Sequence, residues 1–452
     1  MNFHLGKPIL VLIVIALLSG VVVAFRPEQR KADLTVWVFA DSHFKSFEPL
    51  IPEFEKKQGV TVNLNLLNGR AMSVRLGQLF MADPYSEELP DLCEVEINMI
   101  GRFFRPPLEE VGFRPLDADL DRSGLRDKIV RKRFAPWSKD GVVFGVPHDV
   151  HPCTITYRDD LFRAAGVDLS QAKTWEQFHE ACIRFTRYWR SQGHRYRHAV
   201  ELSESSSDML QVMLLQRGIN PIDDRGQVQL DDPRAAETLA RYARMVAGRG
   251  KVSAQVSGNQ GAFTKDLVEG NLSAFITPDW RLTYIKRYGG AGIAGKMRMM
   301  PLPVFDPADA PTATHGGTCM TMPRACRNPE LAWKLMEHLY FSETGLAGRR
   351  AESEILPPIR TTWSHPHYHQ ADPFLGGQKG AELFIALADS IPPKYVDPAS
   401  GIASLALNQV LIRAAEYVRT RGEDGLEAYC RDLLVEASVD LRLRMEQMRF
   451  QP

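Results

Sequence analysis

The chain has no excess of either charge: 55 lysines and arginines stand against 55 aspartates and glutamates over 452 residues. That balance excludes a nucleic-acid partner and a broadly basic membrane-facing surface, because both need a concentrated positive field. Cysteine is scarce. The six residues (Cys93, Cys153, Cys182, Cys319, Cys326 and Cys430) contain no CxxC pair, which excludes the common zinc modules. Most sit in apolar or helical patterns, where a buried free thiol is the expected state. Cys319 and Cys326 are close enough in sequence to pair across a turn, if the demanding disulfide geometry were met. GxSxG, HExxH and P-loop motifs are missing, so no hydrolase or nucleotide signature is present. Gly289-Gly290-Ala291-Gly292 follows a helical stretch rather than a strand, which argues against a dinucleotide fingerprint. Asp223-Asp224-Arg225-Gly226 lacks the spacing of a calcium loop. Internal repeats and low-complexity tracts are absent as well. No catalytic residue, cofactor or metal is expected.

What is present begins with length. A chain of 452 residues is too long for one compact core, so two domains are expected. Residues 9–25 form an uncharged, mainly apolar run, with Lys7 before it and Arg26, Arg30 and Lys31 after it. This is the layout of an export signal. Val22-Val23-Ala24 suits signal-peptidase cleavage, whereas the length is near the minimum for an uncleaved anchor. Both outcomes stay open, and residues 1–31 are set apart from the folded protein.

The remainder alternates between period-2 and period-3.6 patterning. Strands are expected at 34–39, 60–67, 89–97, 142–146, 154–157, 273–276 and 319–322. Helices are expected at 47–58, 72–81, 174–189, 207–217, 233–248, 263–270, 280–287, 329–341, 403–421 and 426–447. Strand–helix alternation predicts an α/β fold with a mainly parallel sheet.

Several separated segments carry a resemblance. They are Leu34-Thr35-Val36-Trp37 with Phe54-Glu55-Lys56-Lys57, Pro90-Asp91-Leu92, and Asp140-Gly141 through Gly145-Val146-Pro147. Further along come Tyr157-Arg158-Asp159-Asp160-Leu161-Phe162, Lys173-Thr174-Trp175-Glu176, Gly270-Asn271-Leu272-Ser273-Ala274-Phe275 with Trp280, and Asn328-Pro329-Glu330-Leu331-Ala332-Trp333. In this order they resemble the extracellular solute-binding proteins of ABC importers, the family of maltose-, oligosaccharide- and glycerol-3-phosphate-binding proteins. The resemblance implies a two-lobe periplasmic-binding-protein-like fold of type II with a ligand cleft between the lobes. It implies crossings near 149–153, near 300–303 and between 341 and 357. The first lobe would then comprise 32–150 and 303–345, and the second 151–302 and 346–452.

By the same resemblance, Asp41, Ser42 and His43 fall at the first binding loop, and Glu96 and Asn98 at the end of the third strand. Asp149 and His151 fall at the first crossing, Trp280 at the stacking position, and Gly316 and Gly317 at a loop that offers backbone groups to the ligand. Bland alternatives accompany these. Trp280 alone reads as a core residue, Asp41 as a helix cap, and Glu96 as a solvated strand end. His151 stands where relatives place a carboxylate or hydroxyl, and the serine-rich stretch 203–207 lacks the aromatics relatives carry there. His365, His367 and His369 at period two could share one extended face, although a surface loop is the plainer reading.

The implied function is capture of a carbohydrate, an oligosaccharide by expectation, and its delivery to ABC permease subunits. The implied location is the periplasm or cell exterior, with possible attachment to the cytoplasmic membrane, as a monomer. The alternatives are an anionic ligand (a glycerophosphodiester or an acidic sugar) or a membrane-tethered ligand sensor.

Overall fold

A computed structural model of the chain describes Leu12, Val14, Ile15 and residues 32–105, 107–255 and 260–449. The apolar run 9–25 thus lies almost wholly outside the described residues. Among the described residues no helix is long and apolar enough to cross a membrane.

Two sheets organise the chain. Strands β1 (Leu34–Val38), β2 (Val62–Leu66), β3 (Leu92–Glu96), β4 (Gly145–Pro147), β5 (Cys153–Arg158), β6 (Ala274–Pro278), β7 (Met297–Pro301) and β8 (Thr318–Thr321) carry them. The first sheet has the order β2-β1-β3-β8-β4, and the second β6-β5-β7. β1 runs parallel to β2 and to β3, whereas β8 is antiparallel to both β3 and β4. β5 is antiparallel to both of its neighbours. The parallel pairing expected over the first three strands is found in β1–β3, and the other pairings in the two sheets are antiparallel. Periodicity marks strands but not direction, and β8 enters the first sheet only after the chain has built the second.

Alternation sets the two faces of the first sheet. Leu34, Val36, Val38 and Leu92 point into one cluster, which Phe47, Phe54, Trp333 and Tyr340 complete. Trp37, Cys93, Val95 and Cys319 point into another, with Phe104, Phe113 and Trp137. This is the period-2 geometry of a strand buried on both sides. The second lobe packs β5 against the helices Trp175–Ser191 and Pro233–Val246, and the terminal helices Ser400–Arg421 and Leu426–Arg449 close over them. Thr174 caps the first of these helices in a full capping box with Gln177.

Where local sequence was ambiguous, boundaries moved. The helix expected at 47–58 is a broken series, Asp41–Phe47, Glu48–Leu50 and Ile51–Gln58. Pro49 and Pro52 each occupy a first or second position of a new turn, where proline is tolerated. All six cysteines are free and buried. Cys319 and Cys326 sit in the clusters on opposite sides of the first sheet, so the turn between them cannot bring the thiols together. The histidines at 365–369 lie in 3₁₀ turns rather than on an extended face.

Backbone segments pair where the chain passes between the two sheets. The segment after β4 runs antiparallel to the one before β8: His148 N–H donates to the Thr318 carbonyl and Cys153 N–H to that of Ala313, both at 2.9 Å. Further on, Val150 N–H donates to the Leu356 carbonyl at 3.1 Å and Val130 N–H to that of Pro358 at 2.9 Å. Between these two regions the helix Glu343–Glu352 packs on Asp41–Phe47.

Candidate functional site

The first crossing places charge where the lobes meet. Asp149 is fully buried, and its carboxylate accepts from Arg133 Nη2 at 2.7 Å and from Thr318 N–H at 2.8 Å. His151 Nε2 lies 3.1 Å from the same carboxylate, and His151 Nδ1 bonds Asp279. Asp279, between β6 and the helix Asp279–Ile293, also accepts from Leu356 N–H at 2.8 Å. His151 therefore stitches the first crossing to the second lobe and, through Asp279, to the segment at Leu356. Its backbone has φ +56°, one of two positive values among the described non-glycine residues. A histidine held there costs on the order of 1–3 kcal/mol unless its surroundings compensate.

Burial alone would raise Asp149, but the charge and hydrogen bond of His151, together with Arg133, hold it well below the carboxylate range. Burial opposes the charge on His151, and Asp149 and Asp279 overcome it, carrying the imidazole up to about 9. Both residues are buried, and their polar atoms meet partners within and beside the crossing.

Gly316 and Gly317 follow in the opposing strand segment. Gly316 has φ +80°, and a Cβ there would stand 2.9 Å from Trp280 Nε1; Gly317 has φ +147°, and a Cβ there would stand 2.8 Å from Arg133 Nη2. Glycine is required at both by conformation and by close approach. Trp280 is half-buried. Its Nε1–H donates to the His315 carbonyl at 2.9 Å, and its ring meets Tyr284 edge-on with centroids 5.9 Å apart. Tyr284 in turn lies parallel to Tyr288 at 5.9 Å, which makes an aromatic stripe at helical spacing.

A cavity of about 250 Å³ opens beside this hinge, lined from both lobes. Ile97 and Asn98 come from the first lobe, Thr314 and His315 from the crossing, and Asp208, Gln211 and Asn220 from the second. Lys394, Tyr395 and Val396 reach in from the loop before the helix Ser400–Arg421. Two larger, shallower depressions lie on the first lobe alone, one along the helix Gly69–Ala82. The cavity has the concave, mixed lining of a small-molecule site. Burial pushes the Glu96 carboxyl up to about 7, with Lys394 partly offsetting it. Burial likewise lowers the Lys394 ammonium, while Glu96 opposes that shift. Among the described residues Lys394 makes no ion pair. His315 is held neutral, near 3, first by burial and then by Lys394 and Arg281.

Of the residues expected from sequence, Asn98 lines the cavity. Glu96 stands directly behind it, accepting from Asn98 N–H at 2.8 Å. Trp280 and Gly316 do not line the cavity but adjoin its lining residue His315, Trp280 through a hydrogen bond to its carbonyl and Gly316 as the next residue. Asp41 is exposed and paired with Lys45 at 2.8 Å, and Ser42 is half-buried beside it. His43 is buried, 3.0 Å from Glu94, and turned into the first lobe. Sequence reasoning missed Lys394, Asp208, Gln211 and Asn220. Only Pro392-Pro393, which interrupt helical patterning just before Lys394, hinted that this loop is held for a purpose.

Residues 50–370 match the family model described as bacterial extracellular solute-binding protein. The arabinooligosaccharide-binding protein of Bacillus subtilis (strain 168) is 23% identical over 393 residues, 84% of this chain and 87% of that protein. The structure of the sugar-binding protein MalE from Xanthomonas citri aligns with TM-score 0.73 at 20% identity, covering 93% of this chain and all of that one. An ABC transporter associated binding protein from B. animalis subsp. lactis Bl-04, in complex with β-1,6-galactobiose, aligns with TM-score 0.65 at 17% identity over 90% of this chain and 98% of that one.

Proposed function

Because the chain belongs to the bacterial extracellular solute-binding proteins, we propose that it captures a carbohydrate, an oligosaccharide in preference to a monosaccharide, and presents it to an ABC importer. The observation that carries this reading is the cavity beside the hinge, lined from both lobes, with Trp280 bonded to the carbonyl of its lining residue His315. Amide, hydroxyl and ammonium groups around it suit sugar hydroxyls, and an indole suits the apolar face of a pyranose or furanose. Arabino-oligosaccharides, for which the relatives from Bacillus subtilis and Halalkalibacterium halodurans are named, are the first to try. Binding works through lobe closure: a ligand that touches both lobes favours the closed state and shifts the population toward it. The protein acts outside the cytoplasmic membrane as a monomer, carried there by residues 9–25; fractionation of cells that express the full chain tests this, and a soluble cytoplasmic pool with an intact N-terminus would contradict it.

A thermal-shift screen of arabino-, galacto- and malto-oligosaccharides is expected to raise the melting temperature for one class, by several degrees at saturating ligand. Small-angle scattering of the same pair should show a more compact particle. No stabilising sugar across the three classes would remove the carbohydrate reading, and an unchanged scattering profile would remove the closure mechanism.

One observation favours a narrower, acidic sugar ligand. Lys394 offers in the cavity an ammonium with no ion pair among the described residues, while Glu96, up to about 7, carries only part of its charge at neutral pH. If this ammonium meets a carboxylate, Lys394→Met should weaken an oligouronide by about tenfold or more, as expected for a charge-assisted hydrogen bond, and a neutral oligosaccharide much less. Equal losses for both would return Lys394 to the role of a hydroxyl donor.

A further inference from the structure

A second cluster of functional groups lies under the first sheet, on the side away from the cavity lining. His43 comes from the helix Asp41–Phe47, Glu94 from β3 and His148 from the residue after β4. One ligand-type atom from each lies within 4.8 Å of the others. All three are buried, with exposures of 5%, 0% and 1%. Alternation in β3 aims Glu94 to the same side as the core residue Leu92, where an apolar side chain would be the ordinary choice.

A carboxylate without water is costly unless paired. Among the described residues, no lysine or arginine lies within ion-pair distance of Glu94. Its oxygens meet His43 Nδ1, at 3.0 Å each, and Tyr340 Oη, at 2.8 Å. His148 supplies the second, independent observation. Neither of its ring nitrogens has a hydrogen-bond partner, although buried polar groups nearly always do. Asp149 Oδ2 stands 3.8 Å from its Nδ1, beyond hydrogen-bond distance. The ring lies instead against His43, with centroids 4.0 Å apart. Arg349 is close by, but its guanidinium is engaged with the carbonyls of His148 and Tyr340.

We propose that His43, Glu94 and His148 form a binding site for a divalent transition-metal ion of the zinc class. Two imidazoles and one carboxylate are a donor set such ions favour over magnesium or calcium, which prefer oxygen throughout. The positive Arg349 nearby further disfavours weakly held cations. Tyr340 Oη donates to Glu94 at 2.8 Å beside the cluster. The ion would join a helix, a central strand and the first crossing, so its role is to fix the hinge's root and not to touch ligand.

The test uses the full chain without a histidine tag, in a background carrying His365→Ala, His367→Ala and His369→Ala, because those exposed imidazoles could bind metal on their own. Chelator-stripped protein is titrated with Zn²⁺, and separately with Co²⁺. One Zn²⁺ per chain should survive desalting and raise the melting temperature, and Co²⁺ should give the visible absorption of a low-symmetry nitrogen–oxygen site. Glu94→Gln and His148→Phe should each weaken Zn²⁺ by at least about tenfold, the lower range for disturbing a metal's supporting groups. Lack of a retained ion in the background protein overturns the proposal. Full retention in both core variants overturns it too. If a core variant does not fold, the Co²⁺ spectrum of the background protein still decides.

Discussion

His151→Ala is expected to destabilise the protein by about 3–5 kcal/mol, the usual cost of removing one partner from a buried ion pair. The imidazole is 3% exposed and bonds Asp149 on one nitrogen and Asp279 on the other. Asp149 would retain Arg133, but Asp279 would be left with backbone donors from Trp280 and Leu356 only. Relief of the positive φ on truncation would not occur, since alanine dislikes φ +56° as much as histidine does. Chemical denaturation of purified protein measures the effect. A loss below about 1 kcal/mol, within the range of ordinary surface changes, would show that the carboxylates are accommodated without the histidine.

The same residue predicts a pH dependence with a definite sign. Its folded pKa, up to about 9, lies above the ordinary value of about 6.5. The folded state therefore holds the proton more tightly. The contribution is fully present below about pH 6.5 and is lost as pH rises through about 9. The groups facing His151 are Asp149, Asp279 and His315, with Arg133 one step beyond. His315 stays neutral across this interval and Glu96, up to about 7, titrates at its lower end, so the slope toward pH 9 is the part assigned to His151. Denaturation midpoints between pH 6.5 and 9 should fall in the wild type and stay flatter in His151→Asn. Parallel slopes would refute the assignment.

The sequence made much of this fold readable because its strands are short, apolar and bounded by clear stops. Leu34–Val38, Cys153–Arg158 and Ala274–Pro278 fall within a residue or two of expectation, and the Thr174 cap and its helix were visible from composition alone. Strand direction was not readable, since alternation is the same in parallel and antiparallel pairing. The cavity was less legible than the fold. Motif positions led to the hinge, where Asp149 and His151 serve each other. The groups that line the cavity come from 208–220 and 394–404, far apart in sequence and carried by helices and a loop with no period of their own. Lys394 is an ordinary lysine in the sequence; only the packing of its loop against the first lobe, where the Asp397 backbone meets Gly101, gives it a site to serve.

Trp280→Ala should weaken carbohydrate binding by about 10- to 100-fold while the protein stays folded. The indole is half-buried, bonded to the His315 carbonyl at 2.9 Å, and adjacent to a residue that lines the cavity. Stacking on a sugar face contributes on the order of 1 kcal/mol beyond area burial, and the buried apolar area adds about the same again or more. At about 1.4 kcal/mol per decade of affinity, the total gives the stated loss. Trp280 lies outside the main buried clusters, so truncation removes little core packing, and a single lost hydrogen bond to His315 costs roughly 1 kcal/mol. Trp280→Phe separates the two contributions: it keeps a ring for the sugar and loses the N–H, so it should retain more affinity than alanine. Titration calorimetry with the stabilising oligosaccharide reads the affinity, and circular dichroism reads the fold. Unchanged affinity in Trp280→Ala would make the indole a prop for the Gly316 turn, and collapse of the fold would make it part of the hinge; either result moves the stacking surface elsewhere, with Tyr284 and Tyr395 the next rings to replace.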